Sequence, residues 1–447
     1  MVEHFPFKEG VIGSNPIRLT KTFLINVVKK KFLSIFFSLI SIYAILNIFH
    51  SSISFDWTFE DWLINYEGGF VRRGLSGEII SRISNFFVGE SRQFYFGIQI
   101  HFAYFYIISF LCSIFYVLLF NFLKKEKLNF QNLFIILSPL SISFIIYNFG
   151  AIGRKEVLFF IFFLVFIFLL SSFKKKELSI LFIIFLLPFL LLIHEGLIFF
   201  ISSFLIICFF QIDLNNKKFI LPAILFLVLF SFITFILTAI FFKGNTAQVE
   251  TICLSLSNYP INNCSGFGAI AMLSSSHSLE NEFNILWARA FSDNYLFYYP
   301  IIAIIAFYPL IKSSFQYCFN ISVGNKIYKL NFSTIAIIYF VNSLPLYIFT
   351  HDWGRWLHIN YILLMITFYY LKRVNKIYLK NSRKLELISD NHDYLKKKLL
   401  SIVLIFYSTG LSVSYFGGYT YWIHNYTTMD DQFKFYFNVI KTIPKLF

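Results

Sequence analysis

The stretch "EVLFFIFFLVFIFLLSSFKKKELSILFIIFLLPFLLLIHE" (156–195) decides the fold. Two unbroken apolar runs, 157–173 and 178–194, flank the lysine cluster "FKKKE" (173–177). Each run is long enough to cross the hydrocarbon core of a bilayer as an α-helix, which takes about 17–25 residues. Lysine-rich turns are retained on the cytoplasmic side. The pattern predicts a helical hairpin that leaves the outer face at Glu156, turns inside, and returns to the outer face at His194 and Glu195.

The same alternation extends in both directions. Of 447 residues, 57% are hydrophobic and only 14% charged, with 63 phenylalanines, so a soluble globular fold is excluded. Eleven spans are expected: 32–52, 96–122, 131–150, 157–173, 178–194, 197–212, 219–242, 295–311, 332–350, 356–371 and 399–417. The resulting fold class is all-α, a polytopic transmembrane helical bundle with the N-terminus inside and the C-terminus outside. A cytoplasmic segment (1–31) precedes the transmembrane domain (32–417). Outer loops cover 53–95 and 243–294, and an extracytoplasmic tail covers 418–447. No cleavable signal peptide is apparent before the first apolar run.

The formal charge of +15 does not indicate nucleic acid. The lysines stand in short runs beside apolar segments, at 123–127, 173–177, 215–218 and 395–398, which is the positive-inside pattern. The arginines go the other way. Arg72, Arg73, Arg82, Arg92, Arg154, Arg289 and Arg355 are expected outside, against Arg18, Arg373 and Arg383 inside. Topology does not select for outer arginines, whereas anion binding does, because the guanidinium grips phosphate or carboxylate bidentately and stays charged. Cys253 and Cys264 share the second outer loop, where an oxidising compartment permits a disulfide. Two free thiols are the alternative.

Four polar motifs fall on this outer face. The first loop reads "FEDWLINYEGGFVRRGLSGE" (59–78). Two short amphipathic segments, one with Phe59, Trp62, Leu63 and Tyr66 and one with Ile79, Ile80, Ile83, Phe86 and Phe87, are expected to lie in the interface. Between them, Gly68 and Gly69 allow a non-helical hinge that carries Arg72 and Arg73. "GAIGRKEVLFF" (150–160) brings Arg154, Lys155 and Glu156, and "LLIHEGLIFF" (191–200) brings His194 and Glu195. "FTHDWGRWLHIN" (349–360) sets His351, Asp352, Arg355 and His358 among Trp353 and Trp356, tryptophans that suit either the interfacial belt or a sugar platform. Taken singly, each charge could simply pair with a neighbour or a lipid headgroup. Their shared side points to one polar pocket. The absence of any nucleotide motif leaves a membrane-borne, preactivated donor, or none.

The adjacent acids in a first outer loop between interfacial helices resemble the GT-C superfamily of lipid-dependent glycosyltransferases. The string "NYEGGFVRRGLSGE" (65–78), with 153–156 and 351–356, is similar to membrane proteins considered repeat-unit polymerases of bacterial O-antigen or capsule. The resemblance implies transfer of a saccharide from a polyprenyl-phosphate or polyprenyl-diphosphate carrier at the outer face of the bacterial inner membrane, with a chain-length regulator as partner. It implies Asp61 or Glu60 as general base and Glu156 as a second catalytic acid. Arg72, Arg73, Arg154, Lys155 and Arg355 would hold the leaving phosphate. His194, Glu195, His351 and Asp352 would bind the acceptor or transfer protons. No metal and no cofactor are expected. A transferase adding a single sugar shares this chemistry. A lipid-linked saccharide flippase belongs to another class and would need polar residues through several spans, which are not found here.

Overall fold

A computed structural model describes residues 16–54, 57–88, 96–126, 129–141, 144–148, 151–173, 176–211, 217–256, 264, 268–274, 283–284, 287–288, 291, 295–323, 326–350, 352–380 and 394–409. The extreme N-terminus (1–15), the tail 418–447, Arg92, Arg289, His351 and Arg383 lie outside the described residues.

The chain is a helical membrane protein. A long helix α1 (Pro16–Ser54) is followed by the short α2 (Trp57–Leu63) and by α3 (Gly74–Val88). Next come α4 (Phe96–Leu123), α5 (Phe130–Ile136), α6 (Phe144–Tyr147), α7 (Glu156–Ser172) and α8 (Lys176–Ile193). A 3-10 turn (Glu195–Phe200) leads into α9 (Ser202–Gln211), and α10 (Lys217–Ile236) runs on into one π turn (Leu237–Phe241). The segment after the π turn carries α11 (Thr246–Ser255) and a 3-10 turn (Ala271–Leu273). The remainder is α12 (Tyr295–Gln316), β1 (Tyr317–Val323), β2 (Lys326–Asn331), α13 (Ser333–Phe349), α14 (Trp353–Arg373), β3 (Tyr378–Leu379) and α15 (Tyr394–Thr409).

Among the described residues, five segments are both long and apolar enough to span a bilayer: Lys31–Ser52, Ile100–Leu123, Lys176–Ile193, Leu221–Phe241 and Tyr295–Gln316. Shorter apolar helices occupy Glu156–Ser172, Glu195–Gln211, Ser333–Phe349 and Leu399–Ser408. Along α10, Leu221, Leu225, Leu229, Ile233 and Ile240 are all exposed. Such a surface is prohibitive in water and is satisfied by hydrocarbon. At the centre stands α14, in which every residue from Gly354 to Leu371 except His358 is buried. A helix apolar all round belongs inside a bundle, and α7, α9, α12 and α13 pack around it.

Two features depart from the expected arrangement. The run 131–150 is not one helix: α5 ends at Ile136, and α6 begins only at Phe144. "LSPLS" (137–141) explains the break, since Pro139 cannot donate a backbone hydrogen bond and the serines offer local alternatives. The groups set free find partners, for Ser138 Oγ donates to Ala306 O at 2.9 Å and His358 Nδ1 donates to Leu140 O at 2.8 Å. Second, β1, β2 and β3 form a small antiparallel sheet in the order β2-β1-β3, an element that the all-helical reading did not include.

The two ends of the bundle differ in chemistry. At one end Arg373 pairs with Glu126 and caps Phe122 O, and Lys176 donates to Gln211 Oε1 at 2.7 Å. This is the lysine-rich end, and the sheet hangs from it. The opposite end gathers the polar turns.

Candidate functional site

The polar turns do converge, and each is delivered by a helix terminus. α2 presents Glu60 and Asp61, both buried. Trp62 anchors it, its indole N–H donating to Gly153 O at 2.6 Å, which ties the first loop to the turn before α7. The hinge after α2 closes through Gly69 N–H to Tyr66 O at 2.9 Å, with Gly69 at φ +100°, a conformation that costs glycine little. Arg73 also sits at positive φ, 64°. An arginine held in that region is strained unless its surroundings fix it.

Those surroundings are a carboxylate, a second carboxylate and a lysine. Arg73 donates Nε to both Glu195 oxygens, at 3.0 and 2.9 Å, and Nη2 to Oε1 at 2.7 Å. Its Nη1 lies 3.6 Å from Asp61 Oδ1. Its carbonyl accepts from Lys155 Nζ at 3.2 Å, and the same ammonium stands 3.5 Å from Asp61 Oδ1. Arg72 donates Nη2 to Met272 O at 3.3 Å and reaches Glu195 at 3.8 Å.

A second triad adjoins the first. Arg355, in the first turn of α14, donates Nη1 to Asp352 Oδ2 at 2.8 Å and pairs with Glu156 through Nη2. Nη2 also lies 2.7 Å from His194 Nε2. The guanidinium covers the face of Trp356, 4.5 Å from the ring centroid, and the Trp356 N–H is taken by Thr350 Oγ1. Trp356 is therefore not an open sugar platform. His194 joins the two triads: its Nδ1 accepts from Gly196 N–H at 3.1 Å, and its Nε2 is 3.8 Å from Glu156 Oε1.

The electrostatics follow from burial and pairing. Burial alone would raise the Asp61 carboxyl, but Lys155 and Arg73 overcome it and hold the group well below the usual carboxylate range. Burial pushes the Lys155 amine down to about 8, with Asp61 opposing. His194 is pushed down to about 3, first by burial and then by Arg73, so it is a neutral imidazole at physiological pH.

Of the residues expected in the site, Asp61, Glu156, Arg72, Arg73, Lys155, His194, Glu195, Asp352 and Arg355 are brought into this one network. Arg154 is buried beside it, in the wall of a small cleft of about 40 Å³ that Glu156, Arg355, Tyr116 and Phe160 also line. Glu60 faces elsewhere: its Oε2 accepts from Ala269 N–H at 2.8 Å. A Cβ on Gly268 would lie 1.8 Å from that oxygen, so any side chain there pushes the Glu60 carboxylate off Ala269. The segment after the π turn is thus seated on the one between α1 and α4. Arg72 N–H donates to Phe242 O at 2.8 Å, Asn65 Nδ2 to Ser255 Oγ at 3.2 Å, and a disulfide joins Cys253 to Cys264. Sequence reading did not identify Gly268, Ala269 and Met272 as part of the site; the glycines of "GFGA" (266–269) were the available signal.

The model of a family described as "Uncharacterised membrane protein Rv1490" matches residues 32–281. The match takes in the first outer loop, the turns at 153–156 and 194–195, and the disulfide. No curated protein and no solved structure matches the chain.

Proposed function

This chain belongs to the Rv1490 family of membrane proteins, and on that premise we propose a membrane glycosyltransferase that takes a saccharide from a polyprenyl-phosphate or polyprenyl-diphosphate carrier at the outer face of a bacterial plasma membrane. Its product is a polymer of lipid-linked repeat units. The observation that carries this reading is Arg73, bridged between Asp61 and Glu195 in a buried network yet itself a quarter exposed. Buried charges near a membrane are costly and mark function by default. A network of both signs suits a substrate that is both an anion and a polyol.

The chemistry is assigned to this chain's own groups. Arg73, with Arg72 beside it, receives the carrier phosphate, whose negative charge grows as the glycosidic bond breaks. A phosphate on Arg73 displaces Glu195 from its bidentate grip. The freed carboxylate then regains basicity and accepts the proton of the attacking hydroxyl. Asp61 is a weak base while Lys155 and Arg73 hold it ionised, and its negative charge instead steadies the positive character that develops at the anomeric carbon. Arg355, Asp352 and Glu156 brace the floor.

Deletion in the native host, followed by electrophoresis of the surface polysaccharide, tests the reading. Collapse of a ladder to one repeat unit supports the polymerase. A shortened repeat replaces it with addition of a single sugar. Intact lipid-linked units trapped inside make the protein a flippase, and an unaltered polysaccharide removes saccharide chemistry altogether.

A further inference from the structure

The sheet at the lysine-rich end has two unlike faces. Pairing sets Asn320 opposite Lys329, Ser322 opposite Ile327, and Cys318 opposite both Asn331 and Tyr378. Side chains alternate along a strand, so Tyr317, Phe319 and Leu330 share one face, and Asn320, Ile327, Lys329 and Tyr378 share the other. The first face closes on the bundle: Phe319 is buried against Phe210, and Tyr317 packs on Phe368.

Cys318 shares the second face and is fully buried at the root of β1, but beyond it the face is open among the described residues. Ile327 is 71% exposed, and Tyr378 and Lys329 are exposed beside it. The Lys329 ammonium lies over the Tyr378 ring at 5.4 Å, and the Tyr378 hydroxyl donates to Asn320 Oδ1 at 2.5 Å. Around the sheet, Lys312, Lys376 and Lys380 are exposed as well. Lys312 sits over Tyr308 at 5.8 Å, and Lys380 is fixed at the foot of α12 by its backbone N–H to Gln316 O. The carboxylate nearest the sheet among the described residues, Glu126, is already taken by Arg373. A projecting isoleucine, ring-bearing lysines and a tyrosine make up the chemistry of a headgroup layer: an apolar group to insert, aromatic rings for the interface, and cations for phosphates. In water, an edge strand carrying an exposed isoleucine is a hazard.

We propose that this outward face of the sheet, with Lys312, Lys376 and Lys380, docks on anionic phospholipid headgroups of the leaflet at the lysine-rich end. Each lysine near such a surface contributes about fivefold in affinity, and the attraction weakens as salt rises. The sheet links α12 to α13, so a docked sheet fixes the depth of two spans whose far ends carry Tyr295 and Thr350, next to the charged network.

Phosphatidylglycerol and phosphatidylcholine, titrated separately into the detergent-purified full chain with retained lipids counted by native mass spectrometry, test this. The expected result is retention of phosphatidylglycerol over phosphatidylcholine. Lys329→Gln, Lys376→Gln and Lys380→Gln together should lower that retention by roughly a hundredfold at unchanged melting temperature, and Ile327→Ser should lower it for the folded protein without altering its charge. Equal retention of the two lipids, or full phosphatidylglycerol retention in both variants, overturns the proposal. So does preferential binding of a polyglutamate peptide, which would mark an acidic protein segment as the occupant.

Discussion

The two arginine-centred triads use the same parts in opposite ways. Arg73 and Arg355 each bridge two carboxylates. Arg73 lies on a loop at positive φ with a quarter of its side chain exposed. Arg355 lies in the first turn of α14, pressed on Trp356, with its side chain 6% exposed. A paired charge that solvent reaches can exchange its partner for a substrate, whereas a sealed one cannot without leaving a buried charge uncompensated. The contrast separates the group that grips from the group that holds the floor.

The most severe way to probe this difference is Arg355→Ala. It strands Glu156 and Asp352 and should cost about 3–5 kcal/mol of stability, seen as a large fall in melting temperature in detergent and a loss of folded protein from the membrane. If the variant folds normally but loses product, the sealed triad is reactive after all and the contrast fails. Next comes Arg73→Ala, expected to lower product formation by about 10²–10³-fold while its melting temperature falls less than that of Arg355→Ala. Arg73→Lys should not restore activity, because a point charge cannot replace a bidentate fork.

Removal of the disulfide touches only the solvent-reached, Arg73 side of the comparison. Cys253→Ser with Cys264→Ser frees a short loop and should cost about 2–3 kcal/mol, and backbone hydrogen exchange should rise in 60–72 and not in 352–360. Equal loosening of both segments would dissolve the distinction. The smallest effect concerns the joining residue. His194 has a folded value of about 3, below the unfolded value of about 6.5, so the unfolded chain binds the extra proton and stability falls as pH drops below 6.5 toward 3. At pH 5 the wild-type protein should have lost about 2 kcal/mol from this source, a slope that His194→Asn removes. A melting curve with the same acid dependence in both proteins would contradict it.

Much of this arrangement is legible in the residues. Apolar runs locate the helices, because bilayer thickness fixes their length. The turns at 153–156, 194–195 and 352–355 stand out as charges where charge is expensive. What could not be read is which arginine meets which acid. Arg73, at the foot of α3, and Glu195, after α8, are brought together by the packing of α3 against α8, and no local rule encodes that. The sheet is a different kind of omission. "YCFNISVGNKIYKLN" (317–331) alternates on both sides of Gly324-Asn325, a hairpin signature that lysine counting passed over as a plain loop. The break at 137–141 was likewise written in Pro139 and its serines, and a search for length alone overlooked it.

The sulfur bridge has a use beyond strength. Thiols stay reduced in the cytosol and pair outside it, so the state of Cys253 and Cys264 records which compartment their loop entered. Denatured membranes treated with a bulky maleimide would report the orientation of the whole chain from two native residues, with no reporter fused to it.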